Sequence, residues 1–304
     1  MATRKKSEFG LEGKVAIVTG AGTGIGEAAA HKLASLGARV LCAGLPGDPV
    51  DEVAQAIKRR RGKADFFEGD LSDPFQAKAC IAHAVNTFGR LDILVSNAGV
   101  TLCADAAETI GDDEFLRTMH ANVFTTFFIM REALPALKKT HGCIVATGSV
   151  AGLKGQPGDV VYGGTKGFVN AFVQGLAVEQ AVHGIRVNAV LPGVTDTALT
   201  HAGRSAITKN EEKTMTEDIP MQRRGTVEEI ANAIAFLASD LASYITGALL
   251  AVDGGYAVSW GGVDEVPARL KRQPKGELEG VLKFTRHGGF KKNNPDPRAE
   301  RGRH

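Results

Sequence analysis

The chain has 304 residues, 43% hydrophobic and 23% charged, with a formal net charge of +2. That balance is ordinary for a globular protein able to bury a large core. No stretch approaches the ~18 consecutive apolar residues of a membrane span, so no membrane partner is expected. The start, Met1-Ala-Thr-Arg-Lys-Lys6, is basic with no apolar segment behind it, which argues against a secretory signal and for a cytoplasmic protein. Cys42, Cys80, Cys103 and Cys143 include no Cys-x-x-Cys pair, and the histidines are scattered, so no metal site or disulfide framework is expected.

In chain order, Val15-Ala-Ile-Val18 is a short β-rich run. A glycine cluster follows, then a helix-forming run from Glu27 to Leu36 stopped by Gly37, then a second apolar run from Arg39. This is a βαβ unit. Strand-like runs recur at Ala64–Glu68, Leu91–Val95, Cys143–Thr147, Ile185–Val190 and Ala248–Val252. Helical stretches separate them at about 49–61, 74–88, 112–139, 158–183 and 227–238. Continuous apolar strands alternating with helices predict an α/β fold: one Rossmann-like, doubly wound, seven-stranded parallel sheet with helices on both faces. A long connection of mixed polarity from Gly193 to Gly225 has the length of a functional lid.

Residues 1–257 are read as this domain and 258–304 as a basic C-terminal extension with little independent structure. From 261 onward the chain carries 11 Lys/Arg against 6 Asp/Glu. Leu278, Val281 and Leu282 have the spacing of a short helical seam, and Trp260, Phe284 and Phe290 add apolar surface. The extension is therefore expected to dock on a neighbouring subunit and help roof a site.

Between the first strand and first helix stands Thr19-Gly-Ala-Gly-Thr-Gly-Ile-Gly26. Gly20, Gly24 and Gly26, with Thr23 and Ile25 between them, permit a tight turn and close backbone approach to a pyrophosphate at the helix N-terminus. Dinucleotide sites often place an acid at the end of the second strand for the adenine ribose. Gly44 stands there instead. Asp48 either reaches back to that place or caps the next helix before Pro49. No Lys or Arg stands in the loop for a 2′-phosphate, so NAD is favoured and NADP stays open.

Further motifs close the strands: Asp70-Leu71, Ser96-Asn-Ala-Gly99, Ser149, Pro192-Gly-Val-Thr-Asp-Thr197 and Val252-Asp-Gly-Gly255, with Tyr162-Gly-Gly-Thr-Lys166 thirteen residues after Ser149. Over roughly residues 10–257 the chain resembles the short-chain dehydrogenase/reductase family. The resemblance implies a Rossmann fold, NAD(H) or NADP(H), and a homotetramer or homodimer. It places the catalytic residues on Asn122, Ser149, Tyr162 and Lys166, with Asn122 holding a water that links Lys166 to solvent. It places cofactor contacts on Asp70 and Leu71 (adenine), on Asn97, Ala98 and Gly99, on Tyr162 and Lys166, and on Pro192, Gly193, Thr195 and Thr197 (carboxamide). Ser96 departs from the usual asparagine, and Gly44 from the usual acid.

The chemistry fits these residue types. Removing a hydride from an alcohol carbon also requires removing the hydroxyl proton. A phenol, with its ordinary pKa of about 10, is a poor base until a nearby cation favours the phenolate. Tyr162 and Lys166 are four apart, on one helix face. Ser149 can orient the substrate oxygen. Substrate contacts are expected from Val150 to Asp159, from 195–225 and around Leu102. Sugars, polyols, 3-oxoacyl groups and other small carbonyl compounds are all compatible. Two other classes are weighed against the hydride-transfer enzyme. A dinucleotide-binding sensor would not need Ser149, Tyr162 and Lys166 intact. A nucleic-acid binder would need more than a basic tail without aromatic platforms, so no nucleic-acid partner is expected.

Overall fold

The computed structural model describes residues 9–102, 106–197, 216–260, 266, 282–284 and 290–292. Strands β1 (Val15–Thr19), β2 (Arg39–Gly44), β3 (Lys63–Glu68), β4 (Ile93–Ser96), β5 (Cys143–Thr147), β6 (Arg186–Pro192) and β7 (Leu249–Val252) form one sheet. Its order is β3-β2-β1-β4-β5-β6-β7, and every neighbouring pair is parallel. The doubly wound sheet expected from the sequence is what forms.

Alternation along the strands assigns side chains to two layers. Ala16, Val18, Val40 and Cys42 pack with α1 (Gly24–Ser35), α2 (Val50–Arg59) and α7 (Val227–Ala238). Val15, Ile17, Leu41 and Ala43 pack with α3 (Pro74–Phe88), α5 (Thr125–Thr140) and α6 (Val160–Gln180) on the other face. Because both faces are covered, the inner strands are buried at nearly every position rather than at every second one. Local signals set the helix ends. Asp73 accepts from Phe75 N at 2.8 Å with Pro74 opening α3, and Gly89, at φ 87°, ends it. Thr226 and Glu229 form a reciprocal capping box on α7.

The long helix expected over 112–139 is interrupted. α4 (Asp112–Met119) and α5 are joined by a π turn, His120–Phe124. Hydroxyls support the widened turn: Thr125 donates to His120 O at 3.2 Å and Thr126 to Asn122 O at 2.7 Å. Such turns gather at functional sites because they re-aim side chains, and Asn122 lies at the centre of this one.

In the extension, β8 (Leu282–Phe284) pairs antiparallel with β9 (Phe290–Lys292), Phe284 opposite Phe290. This corrects the helical reading: Leu282 opens a strand. Leu278 and Val281 lie outside the described residues. No helix among the described residues is long and apolar enough to cross a membrane.

Candidate active site

In open α/β sheets the crevice opens at the carboxyl ends of the strands, where strand order reverses. Here β1 lies between β2 and β4, and a cavity of about 600 Å³ lies across those ends. The volume is that of small-molecule and cofactor sites.

The glycine loop forms its floor. Gly20 and Gly24 take φ of 61° and 57°, and Gly20, Thr23, Gly24 and Ile25 line the cavity. Gly26 works from behind: a Cβ there would stand 2.0 Å from Gly20 O and 2.7 Å from Asn97 Nδ2. Only a glycine lets α1 start this close to β1. Thr23, the N-cap, makes no side-chain cap, so the first-turn N–H groups of α1 are available to an anion.

Asn97 stitches the loop to the sheet. Its N–H donates to Thr19 Oγ1 at 2.9 Å, its Nδ2 donates to Thr19 O at 3.1 Å, and its Oδ1 accepts from Thr147 Oγ1 at 3.0 Å. Ala98 N also donates to Thr19 Oγ1, at 3.0 Å. Asn97, Ala98 and Gly99 all line the cavity.

Past β2 the wall is Gly44, Leu45 and Asp48. Asp48 reaches back rather than capping α2: its Oδ2 accepts from Leu45 N at 2.9 Å, and Pro49 is the N-cap. A Cβ on Gly44 would meet that carboxylate oxygen at 2.8 Å, so glycine at 44 makes room for the carboxylate of residue 48. Asp70 lines the cavity beside Leu71 and does not cap α3, whose N-cap is Asp73; its Oδ1 accepts from Ser72 N at 2.9 Å and Ser72 Oγ at 2.7 Å.

Ser149, Tyr162 and Lys166 converge on the opposite wall. Ser149 Oγ accepts from Ala151 N at 3.1 Å, which leaves its own proton to donate, and it lines the cavity together with Tyr162. Lys166 is 5% exposed; its Nζ donates to Thr147 O at 2.9 Å and lies 5.7 Å from the Tyr162 ring centre. Burial pushes the phenol up to about 12, with Ser149 opposing and the Asp159 charge adding to the rise. Burial pushes the ammonium down to about 8. The expected depression of the phenol by Lys166 is therefore corrected for the chain as it stands. The ammonium lies over the ring and donates to a carbonyl, and desolvation dominates both groups.

Asn122 does not line the cavity. Its amide clasps the backbone behind the wall: Oδ1 accepts from Val100 N at 2.7 Å, and Nδ2 donates to Val100 O and Thr165 Oγ1, each at 2.9 Å. Gly99 passes between Asn122 and Lys166; a Cβ there would stand 3.1 Å from Asn122 Oδ1 and 3.4 Å from Lys166 Nζ.

Pro192, Gly193, Thr195 and Thr197 complete the rim. Thr195 donates to Gly193 O at 3.1 Å and bridges Gly225, while Arg224, 8% exposed, pairs with Asp196 at 3.0 Å. Both ends of the 193–225 connection are thus tied together. Leu199, His201, Arg204, Ile207 and Met215 lie outside the described residues.

The sequence reading missed Arg117, His120, Ala121, Thr125 and Tyr256, all of which line the cavity. The i, i+3, i+4, i+8 spacing of the first four was a usable signal for one helix face. Tyr256 carried none; Lys154 Nζ stands 4.4 Å above its ring. Among the described residues no cluster could hold a metal.

A family model described as enoyl-(acyl carrier protein) reductase matches residues 20–257. The meso-2,3-butanediol dehydrogenase of Serratia marcescens is 37% identical, over 83% of this chain and 97% of the relative. The L-rhamnose 1-dehydrogenase (NAD(P)(+)) of a Sphingomonas species is 39% identical, over 82% and 98% respectively. Among solved structures, a 3-ketoacyl-(acyl-carrier-protein) reductase from Brucella melitensis complexed with NADH superposes with a TM-score of 0.74 at 33% identity, covering 82% of this chain and 100% of that one. With this fold and these matches, the chain belongs to the short-chain dehydrogenase/reductase family of oxidoreductases.

Proposed function

We propose that the chain exchanges a hydride between a nicotinamide dinucleotide and a secondary alcohol or ketone, with Tyr162 carrying the proton to and from the substrate oxygen. The carrying observation is the convergence of Ser149, Tyr162 and Lys166 on one wall of a cavity whose other end is the glycine cradle. A bound dinucleotide supplies the hydride donor or acceptor, and Gly20, Thr23, Gly24, Ile25, Asn97 and Thr197 would hold it.

The protein's own residues manage the oxygen and the proton. Ser149 has its proton free and can donate to a carbonyl oxygen, fixing it beside the phenol. A phenol near 12 stays protonated at neutral pH, so Tyr162 is set to act as an acid, which suits ketone reduction. Lys166, near 8, can return a proton to the phenolate after transfer. In the oxidative direction the same groups run in reverse. Asn122 acts as a positioning residue, holding the Gly99–Val100 backbone beside Lys166.

NAD is the preferred cofactor in this reading. The cavity wall after β2 carries the Asp48 carboxylate; the lining cations among the described residues are Arg117 and Lys166, on other elements. The relative from Brucella was solved with NADH. An aromatic surface on α5 and α6, where Phe127 lies 5.8 Å from Phe172 and Phe168 stacks on Phe172 at 5.4 Å, supports self-association as a dimer or tetramer.

The test is a panel of secondary alcohols and ketones with NAD(H) and NADP(H), followed by nicotinamide absorbance, repeated with Tyr162→Phe. Turnover should fall by about 10²–10⁴-fold in the variant, with dinucleotide binding retained. Equal turnover in the two proteins would remove Tyr162 from the chemistry. Binding without turnover in the wild type would favour a sensor.

A further inference from the structure

Asp159 is the acidic group at the substrate end of the cavity. It occupies the N-cap position of α6, where a carboxylate commonly caps its own helix. It makes no such cap. Its side chain instead lines the cavity with Thr101, Gln156, Ser149 and Tyr162. Asp159, Tyr162 and Lys166 stand at i, i+3 and i+7, on one helix face. Asp159 and Tyr162 are therefore about 4.5 Å apart along the axis. Two oxygens on adjacent or next-but-one carbons of a substrate could be held by these two side chains together.

Resting on the hydride-transfer reading above, we propose that Asp159 is the specificity-determining residue that accepts a hydrogen bond from a second substrate hydroxyl, neighbouring the reacting carbon. The substrates it selects are vicinal diols, hydroxyketones and sugar-like polyols. A neutral hydroxyl suits the site better than an ammonium group. Lys166 is in the wall, Arg117 lines the cavity, and Lys154 stands over Tyr256 at the rim, so a cationic substrate would face like charges. The remaining groups beside Asp159, namely Thr101, Gln156 and Ser149, are neutral hydrogen-bonders that suit further hydroxyls. A half-buried carboxylate left unpaired by a substrate lacking that hydroxyl opposes its binding, which is how polar sites discriminate.

The experiment compares kcat/KM for butane-2,3-diol, butan-2-ol and 3-aminobutan-2-ol with NAD, using the full chain as wild type, Asp159→Asn and Asp159→Ala. The wild type should prefer the diol over the mono-alcohol by about tenfold or more, the range of one hydrogen bond to a charged group. Asp159→Ala should collapse that ratio toward one, mainly through KM for the diol. Asp159→Asn, which keeps one acceptor oxygen, should restore part of it. Melting temperature and NADH binding check that each variant folds; if the alanine variant does not, the asparagine variant carries the comparison. A wild type indifferent to the second hydroxyl, a ratio unmoved in the variants, or an Asp159-dependent preference for the amino alcohol would each overturn the proposal while leaving the hydride-transfer reading intact. Turnover of no alcohol and no ketone would instead remove that reading, and this proposal with it.

Discussion

Replacing Gly26 by alanine tests the cofactor cradle at one atom. The new Cβ would stand 2.0 Å from Gly20 O and 2.7 Å from Asn97 Nδ2, where ordinary contacts begin at 3.4 Å. Gly20 O is backbone in the turn itself, and Asn97 is held by Thr19 and Thr147. Neither partner can swing aside, so the start of α1 must retreat by about 1 Å or more. Overpacking of this kind costs about 1–3 kcal/mol, a fall in Tm of roughly 2–12 °C at this chain size. The functional loss should be larger than the stability loss suggests, because displacing positioned groups by ~1 Å can cost about 10²-fold. Gly175 is the control. It lies mid-helix in α6 with nothing within 4 Å of an added Cβ, so Gly175→Ala should raise stability by about 0.5–1 kcal/mol. Thermal unfolding and NADH fluorescence titration read both variants. If Gly26→Ala keeps wild-type Tm and NADH affinity, the close approach of α1 to β1 does not form the cradle.

Other expectations follow from the same geometry. Asp48→Ala should relax the preference for NAD over NADP by about tenfold, the scale of one lost charged hydrogen bond; unchanged kcat/KM ratios for the two cofactors would remove Asp48 from that role. Lys166 falls from the ordinary 10.5 to about 8 in the fold. Below 8 folded and unfolded chains both hold its proton, and between 8 and 10.5 only the unfolded chain does, so stability should rise with pH in that window. The slope should approach about 1.4 kcal/mol per pH unit relative to Lys166→Met, measured by urea unfolding below pH 10, where Tyr162 does not yet contribute. Parallel stability curves for the two proteins would refute it. Truncation after Tyr256 should change the assembly mass or kcat/KM if the extension docks on a neighbouring subunit; identical values by light scattering and kinetics would show that it does not.

Much of this protein was legible in the sequence because its signals are local. The apolar run before Gly20, the glycine spacing to Gly26 and the rhythm of strand and helix specify the parallel sheet, since strands buried on both faces leave an unbroken apolar run. Tyr162 and Lys166 share a face because helical geometry allows nothing else at that spacing. Local pattern could not decide matters that depend on what comes to rest beside what. The π turn carries Asn122, but the partners that clasp its amide behind the wall, Val100 and Thr165, are remote in sequence. The role of Asp48 was open until the fold brought its carboxylate over Gly44. Leu282 has helical spacing with Leu278, yet its backbone pairs as a strand with Lys292. The proton affinities of Tyr162 and Lys166 followed burial rather than their mutual charge, and burial is a property of the whole packed domain. Sequence by itself determined the fold and that the glycine loop, Ser149, Tyr162 and Lys166 meet at one cavity. Only tertiary structure decided which of them face it and with what electrostatics, because desolvation and long-range hydrogen bonds exist only once the chain has closed around them.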